Sequence, residues 1–459
     1  MNTIADIIKI SKLHFYKNCI WITVCVFFVI IISVTIALEN FLCVGLLLSP
    51  ILIYLSIKKP FIFPFGAYVF LLPFDQLLAL ANTAGGPTLT KFLGVLTIFV
   101  LILKGSFEKK INLPDRIVIW WIFFVLYGTF SILWAIQPTL VLSRIPTAIG
   151  LLILYLLATS YKIQENEFDM LKWCIVGGGI ISSVLIIYNF RSLATIERVT
   201  IQFGERAAEL NQLPFDLFIP VALCIEKIFN ARKSLVKVMF IFFLSMIVFA
   251  IILTGSRGGF IGVGIIFIVY IISLKRKLSM RIILVIIGII LLSLTPSFFI
   301  ERFKEASETG GSGRIFIWSN AFKALRNYWI IGAGLNNFSQ AYGECGHFTP
   351  FSSIYRGSHN IYLGIFVELG IIGFSVLILG IRKHYQIIKL RITHHDNNTV
   401  MLKASFWAML VASFFLDTFW YKSFWLLWMM IMMHHNIMKR KNEFNFETSD
   451  IKTFNYKFE

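Results

Sequence analysis

Three clusters of residues able to do anion and proton chemistry lie in the second half of the chain. Thr254-Gly255-Ser256-Arg257-Gly258-Gly259 joins two apolar segments with room only for a tight turn. Its glycines allow close backbone approach and unusual dihedrals. Arg257 would stand at the N-terminus of the helix starting at 258, where free amides and a guanidinium together make an anion site; a turn arginine snorkelling to headgroups is the plainer reading. Gly310-Gly311-Ser312-Gly313-Arg314 leads into Ile315 to Asn327, which reads as an amphipathic helix with Ile315, Trp318, Phe322 and Leu325 on one apolar face. Ser312 or Gly313 could cap it, leaving Arg314 in its first turn, and a membrane-surface helix with a lipid-facing aromatic belt is the alternative. Gly332-Ala333-Gly334-Leu335-Asn336-Asn337-Phe338 is a glycine turn, a weak phosphate-loop signal by itself. His359-Asn360 then opens an apolar segment. The ordinary pKa of an imidazole, near 6.5, suits a general base, and an interfacial polar cap is the simpler role. Glu368 follows roughly 13 Å deeper along a helix. An intramembrane carboxylate is a functional candidate by default, or the donor or acceptor of an interhelical hydrogen bond.

These residues must be positioned by membrane helices. The chain has 459 residues, 58% of them hydrophobic and 14% charged, against roughly 25% charged in soluble domains. A span needs roughly 20 apolar residues. Such segments fall near 19–38, 41–57, 61–80, 89–103, 117–136, 140–159, 171–190, 213–229, 235–253, 258–274, 281–300, 359–381, 402–417 and 423–438. The expectation is an all-α polytopic membrane protein of 12–14 spans, with fourteen favoured, and a large, partly helical outer loop at 301–358. Lys9, Lys12 and Lys17 precede an apolar run too long for a signal peptide, so the first helix is read as retained. The domain reading is 1–234 as N-terminal helices, 235–381 as the catalytic region, 382–441 as C-terminal helices and 442–459 as a disordered cytoplasmic tail.

Net charge is +18. Lys and Arg alternate by loop so that both termini face the cytoplasm. No basic run escapes the membrane flanks, which argues against nucleic acid as a partner. Yet Arg191, Arg198, Arg206, Arg257, Arg302, Arg314, Arg326 and Arg356 all fall on the outer face. Arginines that break the orientation rule point to a polyanionic ligand such as a phosphate or diphosphate. Asp75, Arg144, Asp216, Glu226 and Asp417 lie at membrane depth, read mainly as structural pairs, Arg144 with Asp75 for instance. Five of the six cysteines lie in apolar stretches and only Cys345 lies in the outer loop, so neither a disulfide framework nor metal spacing is expected.

Taken together, the Ser-Arg-Gly turn, the Gly-Arg-x-x-x-Trp helix, the Gly-x-Gly-x-x-x-Phe turn, and His359-Asn360 with Gly370 and Gly373 eleven and fourteen residues after the histidine resemble the O-antigen ligase/polymerase superfamily. The motifs cover roughly 235–381 and the topology covers the whole chain. The resemblance implies a GT-C-like bacterial inner-membrane glycosyltransferase working on the periplasmic face. It would transfer or polymerise a polyprenyl-diphosphate-linked oligosaccharide onto a glycan or lipid-linked acceptor, in contact with membrane lipids and with a chain-length regulator as a further partner. It implies Arg257 and Arg314 as diphosphate ligands and His359 as the base acting on the acceptor hydroxyl. Arg206, Asn336, Arg356, Asn360, Tyr362 and Glu368 are candidate substrate-binding residues, and Arg302, Arg326 and Arg356 compete with Arg314. Direct displacement at the anomeric carbon would invert its configuration, and because no Asp-x-Asp pair occurs in the chain a metal-independent reaction with no cofactor is expected. A flippase or other secondary transporter is the alternative; it predicts inverted repeats and midplane broken helices, and no internal repeat is evident.

Overall fold

The structure is a computed structural model that describes residues 41–78, 88–192, 198–203, 206–273, 278–293, 301, 304, 313–345, 357–390 and 397–455. The expected first span at 19–38, together with Arg302, Arg356 and Ser312, lies outside the described residues. The chain divides into two compact units after Lys59. In the first, α1 (Phe41–Lys58) is an apolar helix containing Pro50. Everything below concerns the second unit.

Among its described residues that unit is mainly helical, with a short antiparallel ladder of β1 (Gln202–Phe203) with β2 (Arg206–Ala207) and an isolated bridge between Ile111 and Tyr161. Its helices are α2 (Phe65–Phe70), α3 (Leu89–Phe107), α4 (Ile119–Phe130), α5 (Pro138–Ser160), α6 (Glu165–Ser192), α7 (Gln212–Asp216) and α8 (Phe218–Asn230). They continue as α9 (Ser234–Leu253), α10 (Arg257–Ser273), α11 (Leu278–Ser293), α12 (Arg314–Tyr328), α13 (Phe338–Cys345), α14 (Ile361–Leu390), α15 (Asn397–Ala412) and α16 (Lys422–Asn455). Among the described residues, six helices are long and apolar enough to cross a membrane: Leu89–Phe107, Arg116–Leu133, Pro138–Ser160, Glu165–Phe190, Ser234–Leu253 and Ile361–Lys389. The protein is a multi-pass membrane protein.

Two expected spans are broken. The segment 61–80 holds only the six-residue α2, a 3-10 turn at Leu72–Phe74 and further turns. Pro60, Pro64 and Pro73 each remove a backbone donor, which a continuous helix does not tolerate in its interior. Likewise 213–229 splits at Leu217 into α7 and α8, with Pro214 and Pro220 on either side. The tail expected to be disordered continues α16 as far as Asn455; no glycine or proline occurs from Lys422 to Asn455 to stop it.

The turns sort onto two ends of the bundle. At one end the Lys422 ammonium donates to Asp75 (2.6 Å), Arg198 to the Thr254 carbonyl (2.8 Å), and the Gln137 amide to Asn337 (2.8 Å). At the other, the Lys162 amide donates to the Lys110 carbonyl (2.7 Å) and Lys172 to Asn398 (2.8 Å). The core between them is aromatic. Trp121, Trp425 and Trp428 are buried around His384, whose Nε2 lies 2.9 Å from the Tyr155 hydroxyl and whose Nδ1 lies 2.8 Å from the Gly380 carbonyl.

The membrane-depth charges pair differently from the example drawn above. Asp75 takes Lys422 rather than Arg144. Arg144 donates to Asn336 (2.8 Å) and lies over the Trp420 ring, 5.4 Å from its centroid. Glu226 meets the buried Lys172 at 3.5 Å and accepts from Asn230 at 2.7 Å. Asp216 accepts from the Ser423 hydroxyl.

Candidate active site

The three chemistry-bearing elements converge on one loop, residues 413–421 between α15 and α16. Arg314 opens α12 directly after Gly313, whose φ of +80° suits glycine. The Arg314 guanidinium lies over the Phe415 ring at 5.8 Å. The Arg257 turn reaches the same residue from another side: a Cβ on Gly258 would sit 3.6 Å from the Phe415 Cβ. Ser256 is buried, and its hydroxyl accepts from the Gly259 amide (3.3 Å), capping α10 with Arg257 at its first position. Arg198 braces this turn through the Thr254 carbonyl and also donates to Asn211 (3.2 Å). That places it as a positioning residue rather than a free phosphate ligand.

His359 is held from the same loop. The Ser358 amide donates to Asp417 Oδ2 (3.2 Å), and the Ile361 amide to the Ser413 carbonyl (3.0 Å). The Trp318 indole of α12 donates to the Ser358 carbonyl (3.1 Å). Asn360 is the N-cap of α14; its Oδ1 accepts from the Tyr362 (3.0 Å) and Leu363 (3.1 Å) amides. Ser358 and Asn360 are buried, while His359 between them is partly exposed with a left-handed φ of +47°. A non-glycine residue persists in that region only where its surroundings hold it. Gly364 makes this packing possible: a Cβ there would lie 2.6 Å from Ser358 Oγ and 3.2 Å from Asp417 Oδ1. The Tyr362 ring packs at a tilt against Phe414, with centroids 4.4 Å apart, and its hydroxyl donates to the Leu410 carbonyl (2.9 Å).

The glycine turn does not cradle an anion. Gly370, at φ +60°, breaks α14. The break frees the Val367 and Glu368 carbonyls, which accept from the Ala333 (2.9 Å) and Gly334 (2.8 Å) amides, while the Ile371 amide donates to the Trp329 carbonyl (2.8 Å). Gly332 and Gly334 (φ +84° and +100°) permit this splice. The Leu335 amide donates to Ser131 (2.8 Å) and the Ile136 amide to the Ala333 carbonyl (3.0 Å), locking the turn onto the α4–α5 connection. Glu368 accepts from the Phe338 amide (3.3 Å), capping α13, and Asn336 is engaged by Arg144.

The face of α12 differs from the expected one. Ile317, Asn320, Ala321 and Ala324 are buried, whereas Ile315 and Phe322 are exposed. The small alanines let α12 approach α13 and α14 closely, which leaves the bulky residues outward. Trp318 and Leu325 do join the packing. Arg326 is exposed in the last turn of α12, and Arg206 lies in β2. The Cys345 thiol is pushed up first by burial and then by the Glu344 charge, which leaves it protonated and a poor nucleophile. Phe415 and Ser413 carried no signal in the sequence, because aromatic and small residues at a span's end look like an ordinary interfacial belt.

Residues 218–378 match the family described as O-antigen ligase. That region belongs to the O-antigen ligase family. The match contains α8–α13 and the first part of α14, including Arg257, Arg314 and His359, and begins upstream of the expected 235 boundary. An uncharacterized protein of Haemophilus influenzae is 34% identical over 152 residues, a segment covering 28% of this chain and 37% of that protein. The chain therefore spans well under half the length of this relative.

Proposed function

We propose that this chain is an integral-membrane glycosyltransferase of O-antigen ligase or polymerase type. On this reading it moves a polyprenyl-diphosphate-linked glycan on the periplasmic face of the bacterial inner membrane. The supporting observation is the convergence on the 413–421 loop: Arg314 over Phe415, the Arg257 turn against the same residue, and the His359 turn bonded to Ser413 and Asp417. The helix starts that carry Arg257 and Arg314 and the turn that carries His359 thus pack against one loop.

The chemistry needs little more. Departure of the diphosphate releases a stable anion, so the demand is for fixed positive charge where negative charge grows. Arg257 and Arg314 supply it, each as a planar fork matched to phosphate oxygens. The acceptor hydroxyl must lose a proton as its oxygen attacks the anomeric carbon, and the imidazole of His359 takes it. The C–O bond to the diphosphate breaks as the new glycosidic bond forms, so a single displacement inverts the anomeric configuration. No step requires a metal. On the fourteen-span, GT-C-like reading with cytoplasmic termini, this loop would lie outside the membrane, within reach of long lipid-linked glycans. Asn360, Tyr362, Asn336 and Glu368 act chiefly by holding the frame, to judge from the hydrogen bonds each already makes.

The test is purified full-length protein with a lipid-linked oligosaccharide donor, with and without excess chelator. The reading expects transfer that survives chelation. Longer lipid-linked chains among the products identify a polymerase, and transfer only to a different acceptor identifies a ligase. Loss of activity on chelation, restored by a divalent cation, would contradict the metal-independent step.

A further inference from the structure

At the end of the bundle opposite the candidate site lies a cavity of about 740 Å³, lined among others by Lys110, Lys162, Glu165, Ile437, Arg440 and Lys441. Its walls are built by the backbone. Ile111 and Tyr161 form an antiparallel bridge, with the Lys162 amide donating to the Lys110 carbonyl (2.7 Å) and the Asn112 amide to the Ser160 carbonyl (2.9 Å). This register sets Lys110 and Lys162 directly opposite one another. Like charges in that position repel; Glu108 at 2.7 Å offsets Lys110, which leaves the charge of Lys162 to be met by another anion. Arg440 closes the third side by donating to the Ile163 carbonyl.

The lining charge is partly met by acids, and Arg440 has Glu167 and Glu443 near it outside the lining. Four cations line the cavity against one carboxylate, Glu165, and that carboxylate is bound to Lys441 at 2.6 Å. Lys110 has Glu108 at 2.7 Å outside the lining. Lys162 has no acidic partner among the described residues. The surroundings are apolar: Phe107 and Leu113, on the segment that carries Lys110, are 85% and 95% exposed. In a membrane protein such side chains face lipid, which puts the mouth of the cavity at the membrane boundary.

We propose that this cavity binds the phosphate headgroup of an anionic phospholipid, with Lys110, Lys162 and Arg440 around the phosphate oxygens. Its size and its count of cations favour a headgroup with two phosphates over one with a single phosphate. Basic pockets between spanning helices are a recurrent way of holding such headgroups. The proposal does not depend on the transfer reaction assigned to the other end.

The test uses the full chain in phosphatidylcholine nanodiscs doped with cardiolipin or phosphatidylglycerol, with bound lipid counted by native mass spectrometry. A Lys110→Gln/Lys162→Gln double variant keeps the backbone bridge, because the bridge uses no side-chain atom. The expected result is preferential retention of cardiolipin by the wild type. The double variant should bind it about thirtyfold more weakly, each cation near a phosphate surface contributing roughly fivefold, with thermal unfolding in lipid-free detergent unchanged or raised. Unaltered cardiolipin retention by the double variant would overturn the proposal. So would displacement of the lipid by millimolar inorganic phosphate, which would assign the cavity to a soluble anion.

Discussion

Ser358 and Asn360 are buried and hydrogen-bonded, whereas His359 between them is partly exposed on a left-handed backbone. At the scale of single residues, the proposed site is a mount for one imidazole and two guanidiniums. Asp417 sets that mount through the hydrogen bonds it accepts from Ser358. An asparagine there keeps an oxygen to accept the Ser358 amide, and an alanine does not. Asp417→Asn is therefore expected to retain most transfer activity. Asp417→Ala should lower kcat about tenfold with KM for the donor little changed, as the loss of one buried acceptor corresponds to ~1–3 kcal/mol. Steady-state kinetics on both variants checks this, and equal loss in the two would point to a charge effect instead.

At the scale of elements, the decisive feature is the splice between the 329–335 turn and the break in α14. A Cβ on Gly332 would lie 2.2 Å from the Glu368 carbonyl oxygen, and one on Gly370 would lie 2.2 Å from that of Ile330. Both residues also have positive φ. Gly332→Ala and Gly370→Ala should each destabilise by roughly 1–3 kcal/mol or more. Gly150, with nothing within 4 Å of its Cβ position, should tolerate alanine or gain about 0.5–1 kcal/mol. Thermal unfolding of the three variants in one detergent tests the contrast. The spacing of Gly370 and Gly373 from His359 was legible in the sequence, and so were the long helices and the two turns that carry Arg257 and His359. Their reason was not legible, because a helix break that trades carbonyls with a distant turn leaves no periodic trace. The buried face of α12 was misread for a related reason: hydrophobic spacing ranks bulky residues first, while close helix packing here uses Ala321 and Ala324. The 413–421 loop was invisible as a hub because Phe414 and Phe415 resemble any aromatic residues at a membrane boundary.

At the scale of the molecule, charge is divided between two ends with different tasks. One end gathers arginines and a histidine around a loop, and the other gathers lysines around a cavity and the buried Lys172–Glu226 pair. The long helices hold these ends apart, and the proline-broken segments at 61–78 and 212–220 lie where a continuous helix would otherwise be expected. The account stands on His359 acting as the base at the first of these ends. The most direct test reconstitutes the full chain and its His359→Ala variant in liposomes with a polyprenyl-diphosphate oligosaccharide and an acceptor, then measures donor binding and glycan transfer on the same samples. The account predicts that the variant binds donor as the wild type does while its transfer rate falls by about a hundredfold or more. A variant that transfers glycan at the wild-type rate would contradict it.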